Sequence, residues 1–402
     1  MAKPRYRIMI VLTPAFVPTA GGVQMSTAKM ARWFSSVGHE AKIFSFAAGG
    51  HELPEYAEFA HAETPGGSSL PENLECLIEA IRGFRPDVVI NQMPYEHEVG
   101  DTLLKEKDYL LLGCLRNTLF SVKGDLDGFI DRSLPRVLRL ISRNPLGRAL
   151  LLRRHRRSHA AELRRLLVTY DFFVMFGPPN LEELEYFLPA YDRSRIRLIP
   201  NSIPQVADVT SRKEKRLLWL GRVAHEQKRA ELIFEVWRRV CRELPEWELD
   251  VVGDGPALEG LKHEASETGL SRIHFHGRQV PDDFYCRSAI FFMTSAFEGF
   301  PNTLVEAQSY GAIPVIFDSY PVASWIVDDG RSGFLVEPFD VEAMAARIVD
   351  LARHPERARF AEQSLKSARR FHIDRVGNMW QELFEAEVPK HSDRRGAELP
   401  GN

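Results

Sequence analysis

The 402-residue chain contains no apolar run approaching the ~20 residues a membrane-spanning helix needs, so it offers no candidate span. Cysteine is scarce: Cys76, Cys114, Cys241 and Cys286 form no C-x-x-C pair and sit in apolar surroundings. They read as reduced core thiols of a cytosolic protein, which excludes a zinc ribbon or a disulfide framework. An excess of charge of one sign is also missing. Fifty-two basic against 55 acidic residues leave a net charge of −3, with no global attraction to nucleic acid. The apolar start, Ile8 to Leu12, is too short for the core of a signal peptide, and Pro14 and Pro18 interrupt it. It reads as a first strand, and the expected place of action is the cytoplasm or the cytoplasmic face of a membrane.

What is present is a βα alternation in two halves, in a chain 44% apolar and long enough for two cores. Strands are expected at Arg7–Leu12, Ala41–Phe46, Asp87–Asn91, Tyr109–Leu115, Phe172–Met175 and Arg197–Ile199, with helical stretches such as Val23–Val37 between them. A second set follows at Leu217–Leu220, Leu249–Val252, His274–Phe275, Ile290–Met293 and Pro314–Phe317. This pattern predicts an α/β protein of two doubly wound Rossmann-like domains built on parallel sheets. The polar stretch from Asn201 to Lys215 is the expected hinge, giving domains over 1–203 and 204–371. A helix is expected over 372–388, and the polar tail 389–402 reads as disordered.

The most informative segment is Phe297-Glu298-Gly299-Phe300-Pro301-Asn302-Thr303-Leu304-Val305-Glu306-Ala307. It places two carboxylates on either side of a Gly-Phe-Pro turn that runs into a helix. If Asn302 caps that helix, Thr303, Leu304 and Val305 offer free N–H groups to an anion, and Glu306 falls in the first turn. One acid for each sugar of a nucleotide sugar is the functional reading; a capped helix with an acid complementing its dipole is the plain one, and the motif alone balances them. Upstream, the buried strand Leu217-Leu218-Trp219-Leu220 ends at Gly221 and is followed by Arg222 and, after five residues, Lys228. Two cations at a strand's carboxyl end lie where α/β sheets bind ligands.

Taken in order with Gly21-Gly22-Val23, Val37-Gly38-His39-Glu40, Ile199-Pro200-Asn201, Val251-Val252-Gly253-Asp254-Gly255-Pro256 and His274-Phe275-His276-Gly277-Arg278, these segments resemble glycosyltransferase family 4, retaining enzymes of the two-domain GT-B fold. The resemblance covers nearly the whole chain. It implies that Arg222 and Lys228 bind the donor diphosphate, that Glu298 holds the donor sugar and that Glu306 holds the ribose. Gly22 would be the close-approach glycine of the first domain. Gly253, the backbone of Arg278, and Asn302, Thr303 and Leu304 would complete donor binding. The first domain would hold the acceptor, and the helix over 372–388 would cross back to it. The family often has a histidine after the strand beginning here at Tyr109, and this chain has Arg116 there instead. Arg116 either contacts a donor or acceptor phosphate or pairs with a surface acid.

Two further motifs are weaker. Val251 to Pro256 has Leu258 where a dinucleotide fingerprint would need its third glycine. Asp125-Leu126-Asp127 has D-x-D spacing but follows no apolar strand, so it reads as a surface turn and no essential metal or other cofactor is expected. From Arg132 to Arg165 there are eleven arginines and one acid, Glu162. Leu134, Val137, Leu138 and Ile141 share a helical face that Arg132, Arg136, Arg139 and Arg143 avoid, and Leu150-Leu151-Leu152 meets Arg153, Arg154, His155, Arg156 and Arg157. The region reads either as a surface for anionic lipid or as a solvated basic helix folded on its own domain. The combined expectation is a retaining, metal-independent transferase moving a hexose or N-acetylhexosamine from a UDP-sugar to a lipid-linked glycan, peripheral on the membrane. A synthase with a soluble acceptor and an inactive nucleotide-sugar-binding or scaffold subunit are the alternatives.

Overall fold

A computed structural model of the protein describes residues 4–19, 21–48, 55–124, 126–135, 139, 144–206 and 213–398. Seven strands form the first sheet: β1 (Arg7–Leu12), β2 (Glu40–Ser45), β3 (Glu58–His61), β4 (Val88–Asn91), β5 (Leu110–Cys114), β6 (Phe172–Met175) and β7 (Ile196–Leu198). They lie in the order β3-β2-β1-β4-β5-β6-β7, every pair parallel. Six strands form the second: β8 (Glu214–Leu220), β9 (Glu248–Val252), β10 (Ile273–Gly277), β11 (Ser288–Met293), β12 (Ile313–Phe317) and β13 (Phe334–Val336), ordered β10-β9-β8-β11-β12-β13, again all parallel. The central strands are near-continuous apolar runs, as burial on both faces demands.

Both sheets wind outward in two directions from a central pair, so each has a topological switch point: between β1 and β4 in the first and between β8 and β11 in the second. In open α/β sheets, ligands bind beyond the carboxyl ends of the strands at such points. The expected architecture is therefore present. Two strands had no sequence expectation, β3 and β13, and both are sheet edges of only four and three residues, too short to write an apolar period.

Four helices position the site. Helix α1 (Gly21–Ser36) follows β1, α2 (Pro145–Thr169) follows the arginine-rich region, α3 (Asn302–Ser309) follows β11, and α4 (Ile373–Glu398) closes the chain. Helix α4 returns to the first domain: Val376, Trp380, Leu383 and Phe384 are buried in the same core as Phe34 and Trp33 of α1. Gly377 lets the two helices meet, since a Cβ there would come within 2.1 Å of the Trp33 ring. His39 ties this joint together. Its Nδ1 accepts from the Tyr6 N–H at 3.0 Å, which leaves Nε2 to donate to Gln381 Oε1 at 2.6 Å. Helix α4 also continues through Pro389 to Glu398, where a disordered tail is the sequence expectation; Pro389 removes one ladder donor without ending the helix.

Beside the site, the two domains share an apolar joint. Phe176, after β6, packs on Phe300 with ring centroids 5.6 Å apart, and Phe300 packs on Phe371. Gly177 lies directly under the Trp325 ring. Burial of such rings at a domain junction holds the halves in a defined relation.

Candidate active site

The site is built on the second sheet's switch point. Gly221 ends β8, and its carbonyl lies so close to Gly253 that a Cβ on Gly253, at φ +134°, would come within 1.8 Å of it. The Val223 N–H reaches Asp254 O at 2.9 Å, and a Cβ at Gly255 would collide with the Val223 carbonyl. Gly253, expected as a donor contact, thus has a packing role: it lets the loops after β8 and β9 lie backbone to backbone. Those loops carry Arg222, whose side chain is exposed at the carboxyl end of the sheet.

Lys228 is fixed through its main chain. Thr294, after β11, donates its hydroxyl to Lys228 O at 2.7 Å and accepts from Trp219 Nε1 at 3.0 Å. The Lys228 ammonium meets Glu298 Oε1 at 2.5 Å, with side chains 15% and 7% exposed. Gln227 Nε2 donates to Phe297 O at 3.1 Å and to Glu298 Oε2 at 3.2 Å. Two expected residues are therefore in direct contact, and Gln227, which the motif spacing did not flag, holds the second oxygen. Tyr320 lies fully buried nearby, and burial followed by the charge of Glu298 pushes its hydroxyl pKa well up.

The turn after Glu298 differs from its expected form. Pro301, not Asn302, stands at the helix cap, and Asn302 is the first helical residue. The Leu304 and Val305 N–H groups both point to Pro301 O, at 3.0 and 3.3 Å, so they are not free for an anion. Glu306 consequently lies in the second turn. The reason is local: the carbonyl of the cap residue accepts the first helical bonds, and the fixed φ of Pro301 places the cap one residue before Asn302. Gly299 in turn presses on the first domain, where a Cβ would meet Asn117 Cα at 2.7 Å and Arg116 O at 3.0 Å.

Helix α1 reaches this turn from the other domain along one face. Gly22, Ser26 and Lys29 recur at helical spacing and share a side. A Cβ on Gly22 would lie 3.2 Å from Asn302 Nδ2, so Gly22 is a close-approach glycine. Ser26 Oγ donates to Asn201 Oδ1 at 2.9 Å, and Asn201 Nδ2 donates to Asn302 Oδ1 at 3.2 Å. Lys29 Nζ meets Glu306 Oε1 at 2.6 Å. Lys29 and Ser26 carry no sequence expectation, since their spacing from Gly22 is also that of an ordinary packed helix. Tyr285, which also carries no sequence expectation, is buried within the second domain and donates its hydroxyl to Glu306 Oε2 at 3.0 Å.

Among the described residues, Arg116 is not paired with a surface acid. Its Nη1 donates to Asn201 Oδ1 at 3.0 Å, placing it at the junction of the two domains rather than on a surface acid. The Arg278 side chain, whose backbone is the part expected at the donor, donates to Thr19 O of the first domain at 2.6 Å. His276 contacts Asp250 Oδ1 at 2.7 Å, in a cluster where Arg216 and Arg287 also reach that fully buried carboxylate.

The remaining sequence candidates lie apart. Asp127 is paired with Arg148, while Asp125 lies outside the described residues. Among the described residues, no group of three or more His, Cys, Asp or Glu is placed to hold a metal ion. In α2, Arg153, Arg154, Arg156 and Arg157 are exposed on the outer half, beside Leu146 and Leu150 at 84% and 69% exposure. The inner half, with Ala160, Leu163 and Leu166, is docked on the domain core. The amphipathic face expected from Leu134 to Ile141 falls largely outside the described residues, which omit Arg136, Val137, Leu138, Ile141 and Arg143. No described helix is long and apolar enough to cross a membrane.

Comparison with known proteins places this geometry in context. Residues 214–354, the bulk of the second domain, match the model of the family described as "Glycosyl transferases group 1". The chain is 28% identical to the exopolysaccharide phosphotransferase of Streptomyces coelicolor, over 50% of this chain and 22% of that protein. It is 29% identical to the poly(glycerol-phosphate) alpha-glucosyltransferase of Bacillus subtilis, over 47% of this chain and 29% of that protein. The chain thus spans well under two thirds of the length of these curated relatives. Among solved structures, TarM of S. aureus, in complex with fondaparinux, alpha-GlcNAc-glycerol and UDP, superposes with a TM-score of 0.72 at 12% identity, over 94% of this chain and 99% of that one. Such a likeness shows the shared two-domain GT-B fold. The family match lies in the second domain, and together with the relatives it shows a likeness to the group 1 glycosyltransferases.

Proposed function

We propose that this group 1 glycosyltransferase moves a hexose or N-acetylhexosamine from a nucleotide sugar, a UDP-sugar first among candidates, to a growing cell-surface glycan on a lipid carrier. The observation that carries the reading is the Lys228–Glu298 contact beside exposed Arg222 at the switch point of the second sheet. Breaking the bond from the anomeric carbon to a nucleoside diphosphate leaves an oxocarbenium-like sugar and a new negative charge on the leaving phosphate. Arg222 can grip phosphate oxygens through two donors and Lys228 adds a point charge, which together supply the cationic environment without a metal. Glu298, released from Lys228, would accept from donor-sugar hydroxyls and set the anomeric carbon, while Glu306 would accept from the ribose. Retention of configuration follows if the leaving phosphate takes the acceptor's proton on the face it vacates.

Support for the UDP donor comes from the UDP bound to TarM, and support for a surface-polymer acceptor from the names of the curated relatives. One of those names is a phosphotransferase, but the chain covers only 22% of that protein. The exposed arginines and leucines of α2 support a peripheral position on an anionic membrane, where the acceptor's lipid would lie. The test is turnover with UDP-, GDP- and ADP-sugars, each with and without excess chelator. Turnover with one nucleotide class, unaffected by chelator, is the expected result. Loss of activity on chelation, restored by Mg²⁺, overturns the metal-free mechanism; sugar-nucleotide binding with no turnover on any glycan favours the inactive-subunit alternative.

A further inference from the structure

A cavity of about 310 Å³ opens between the two domains next to the turn that carries Glu298. Thr118, Phe120 and Lys123 line it from the first domain, and Phe297, Asp318 and Tyr320 from the second. Phe297 directly precedes Glu298 and Gln227 bonds to both, so the cavity begins beside the proposed donor-sugar acid. Tyr320 marks the closeness, since the Glu298 charge helps to raise its hydroxyl pKa. Gly124 of the first domain touches the same turn, where a Cβ would lie 3.6 Å from Phe297 Cβ.

Both walls are firmly held. Glu183, fully buried in the helix Pro179–Phe187, accepts from the Thr118 hydroxyl and, at 3.1 Å each, from the Leu119 N–H and Asn180 Nδ2. Thr118 Oγ1 in turn accepts from the Phe120 N–H at 3.1 Å. On the other wall, Ser319 donates to Ser295 O at 2.6 Å and the Asp318 N–H to Val336 O at 2.8 Å. These walls present two separate charges. The Lys123 side chain is exposed, its ammonium 4.3 Å from the Phe120 ring centre and 5.0 Å from that of Tyr186. Aromatic faces hold a cation in place without neutralising it. Asp318 borders solvent, yet burial and then Glu337 and Asp329 push its carboxyl pKa up. Among the described residues neither side chain forms an ion pair, although both stand in one cavity.

We propose that this cavity is the acceptor subsite and that it selects a sugar carrying an acidic group, a carboxylate or a phosphate: the anion sits on Lys123, the sugar's hydroxyls bond to Asp318, and the half-buried Phe297 ring meets its apolar face. The proposal rests on the nucleotide-sugar reading above, because it sets the acceptor against a donor held by Glu298. Its basis is a match of separated charges. A neutral sugar answers Asp318 and leaves Lys123 with its rings alone. A free anion answers Lys123 but faces the Asp318 carboxylate, so the pair also rejects. A sugar that brings both an anion and hydroxyls satisfies both walls.

The experiment measures initial rates with UDP-glucose and with UDP-N-acetylglucosamine on three short glycans that differ in one residue: a neutral hexose, a hexuronate, or a hexose bearing a phosphate. Wild type, Lys123→Met, Lys123→Arg and Asp318→Asn are compared, and UDP binding is followed separately by calorimetry. The expected result is that wild type prefers one acidic glycan over the neutral one by about tenfold in kcat/KM, through acceptor KM, the scale of one charge-assisted contact. Which acidic glycan wins tells carboxylate from phosphate. Lys123→Met brings that glycan down to the level of the neutral one, while Lys123→Arg keeps the preference. Asp318→Asn raises the KM of all three. UDP binds all four proteins alike, which also shows that they fold. Equal rates on neutral and acidic glycans in wild type, or an equal loss on all three in Lys123→Met, overturn the subsite while the donor site stands. Transfer to none of the three by protein that binds UDP removes it in the same way. If wild type binds no UDP, the nucleotide-sugar reading falls and the subsite with it.

Discussion

The molecule concentrates cations in two places and treats them in opposite ways. In the cleft, Lys228 and Lys29 are mostly buried, each pressed against a carboxylate that is itself under a tenth exposed. On the outer half of α2, Arg153, Arg154, Arg156 and Arg157 are exposed, and the neighbouring apolar side chains, Leu146 and Leu150, are exposed with them. The difference is one of range. A buried pair acts over one hydrogen bond and is little screened, so it suits exchange with a ligand that takes over one partner. An exposed cluster acts through a summed field that salt screens over roughly 8 Å, so it suits attraction to a charged surface and not to one group. On the proposed reading, the same residue chemistry divides into a chemical site and a docking site by burial.

The sharpest way to break that division is at α2. Each arginine near an anionic membrane contributes about 1 kcal/mol, so replacing Arg153, Arg154, Arg156 and Arg157 by Gln should weaken binding to phosphatidylserine vesicles by about a thousandfold at low salt. Co-sedimentation would measure it, with wild type released by high salt. Turnover on a short soluble acceptor analogue should be unchanged. Wild type that ignores anionic vesicles at low salt removes the docking reading and favours a soluble acceptor.

The cleft should respond in the reverse sense. Arg222→Ala removes an exposed side chain and should leave the fold intact while lowering turnover by about a hundredfold, the roughly 3 kcal/mol of one lost contact to developing charge. Lys228→Ala should show a similar loss of turnover plus a lower melting temperature, because Glu298 is left buried without its ion-pair partner. Neither variant should alter vesicle binding. Near-normal turnover in Arg222→Ala would remove the diphosphate assignment.

How much of this was legible in the sequence follows the same divide. The central strands were readable because burial on both faces writes an unbroken apolar run, whereas the edge strands β3 and β13 write almost nothing. Glu298 and Lys228 were readable because they stand in turns between strand and helix, where composition is restricted, and Gly22 because it stands at the start of the helix that follows the first strand. Lys29 and Tyr285 were not. Each lies within a helix whose pattern is explained by packing, and the partner that gives it meaning is remote: Glu306 is 277 residues from Lys29. The Pro301 cap is hidden for a different reason. Asn302 is the better capping side chain in isolation, but Pro301 sets the turn's backbone first.

The underside of α2 offers the smallest effect and refines the contrast from within one helix. His155 and His159 lie one turn apart on its inner side, stacked at 5.3 Å, with His159 also stacked on Tyr95 and packed edge-on against Phe187. Burial pushes the His159 pKa down to about 4 from its usual 6.5, with His155 adding to the shift; His155 is lowered as well, by burial. The facing ionisable group on this helix, Glu162, is bonded to His97 at 3.2 Å. The sign follows from linkage: the unfolded chain binds a proton at each histidine near pH 6.5, the folded one only at lower pH, so stability falls as pH drops through the window from 6.5 to about 4. Thermal melting between pH 7.5 and 5 should therefore show a falling midpoint in wild type. In His159→Phe, which keeps a ring between Tyr95 and Phe187 but cannot titrate, the fall should be visibly shallower. Vesicle binding through the exposed arginines should persist in His159→Phe at pH 7.5. A variant whose pH profile overlays that of wild type would show that the inner face of α2 is not what acid loosens.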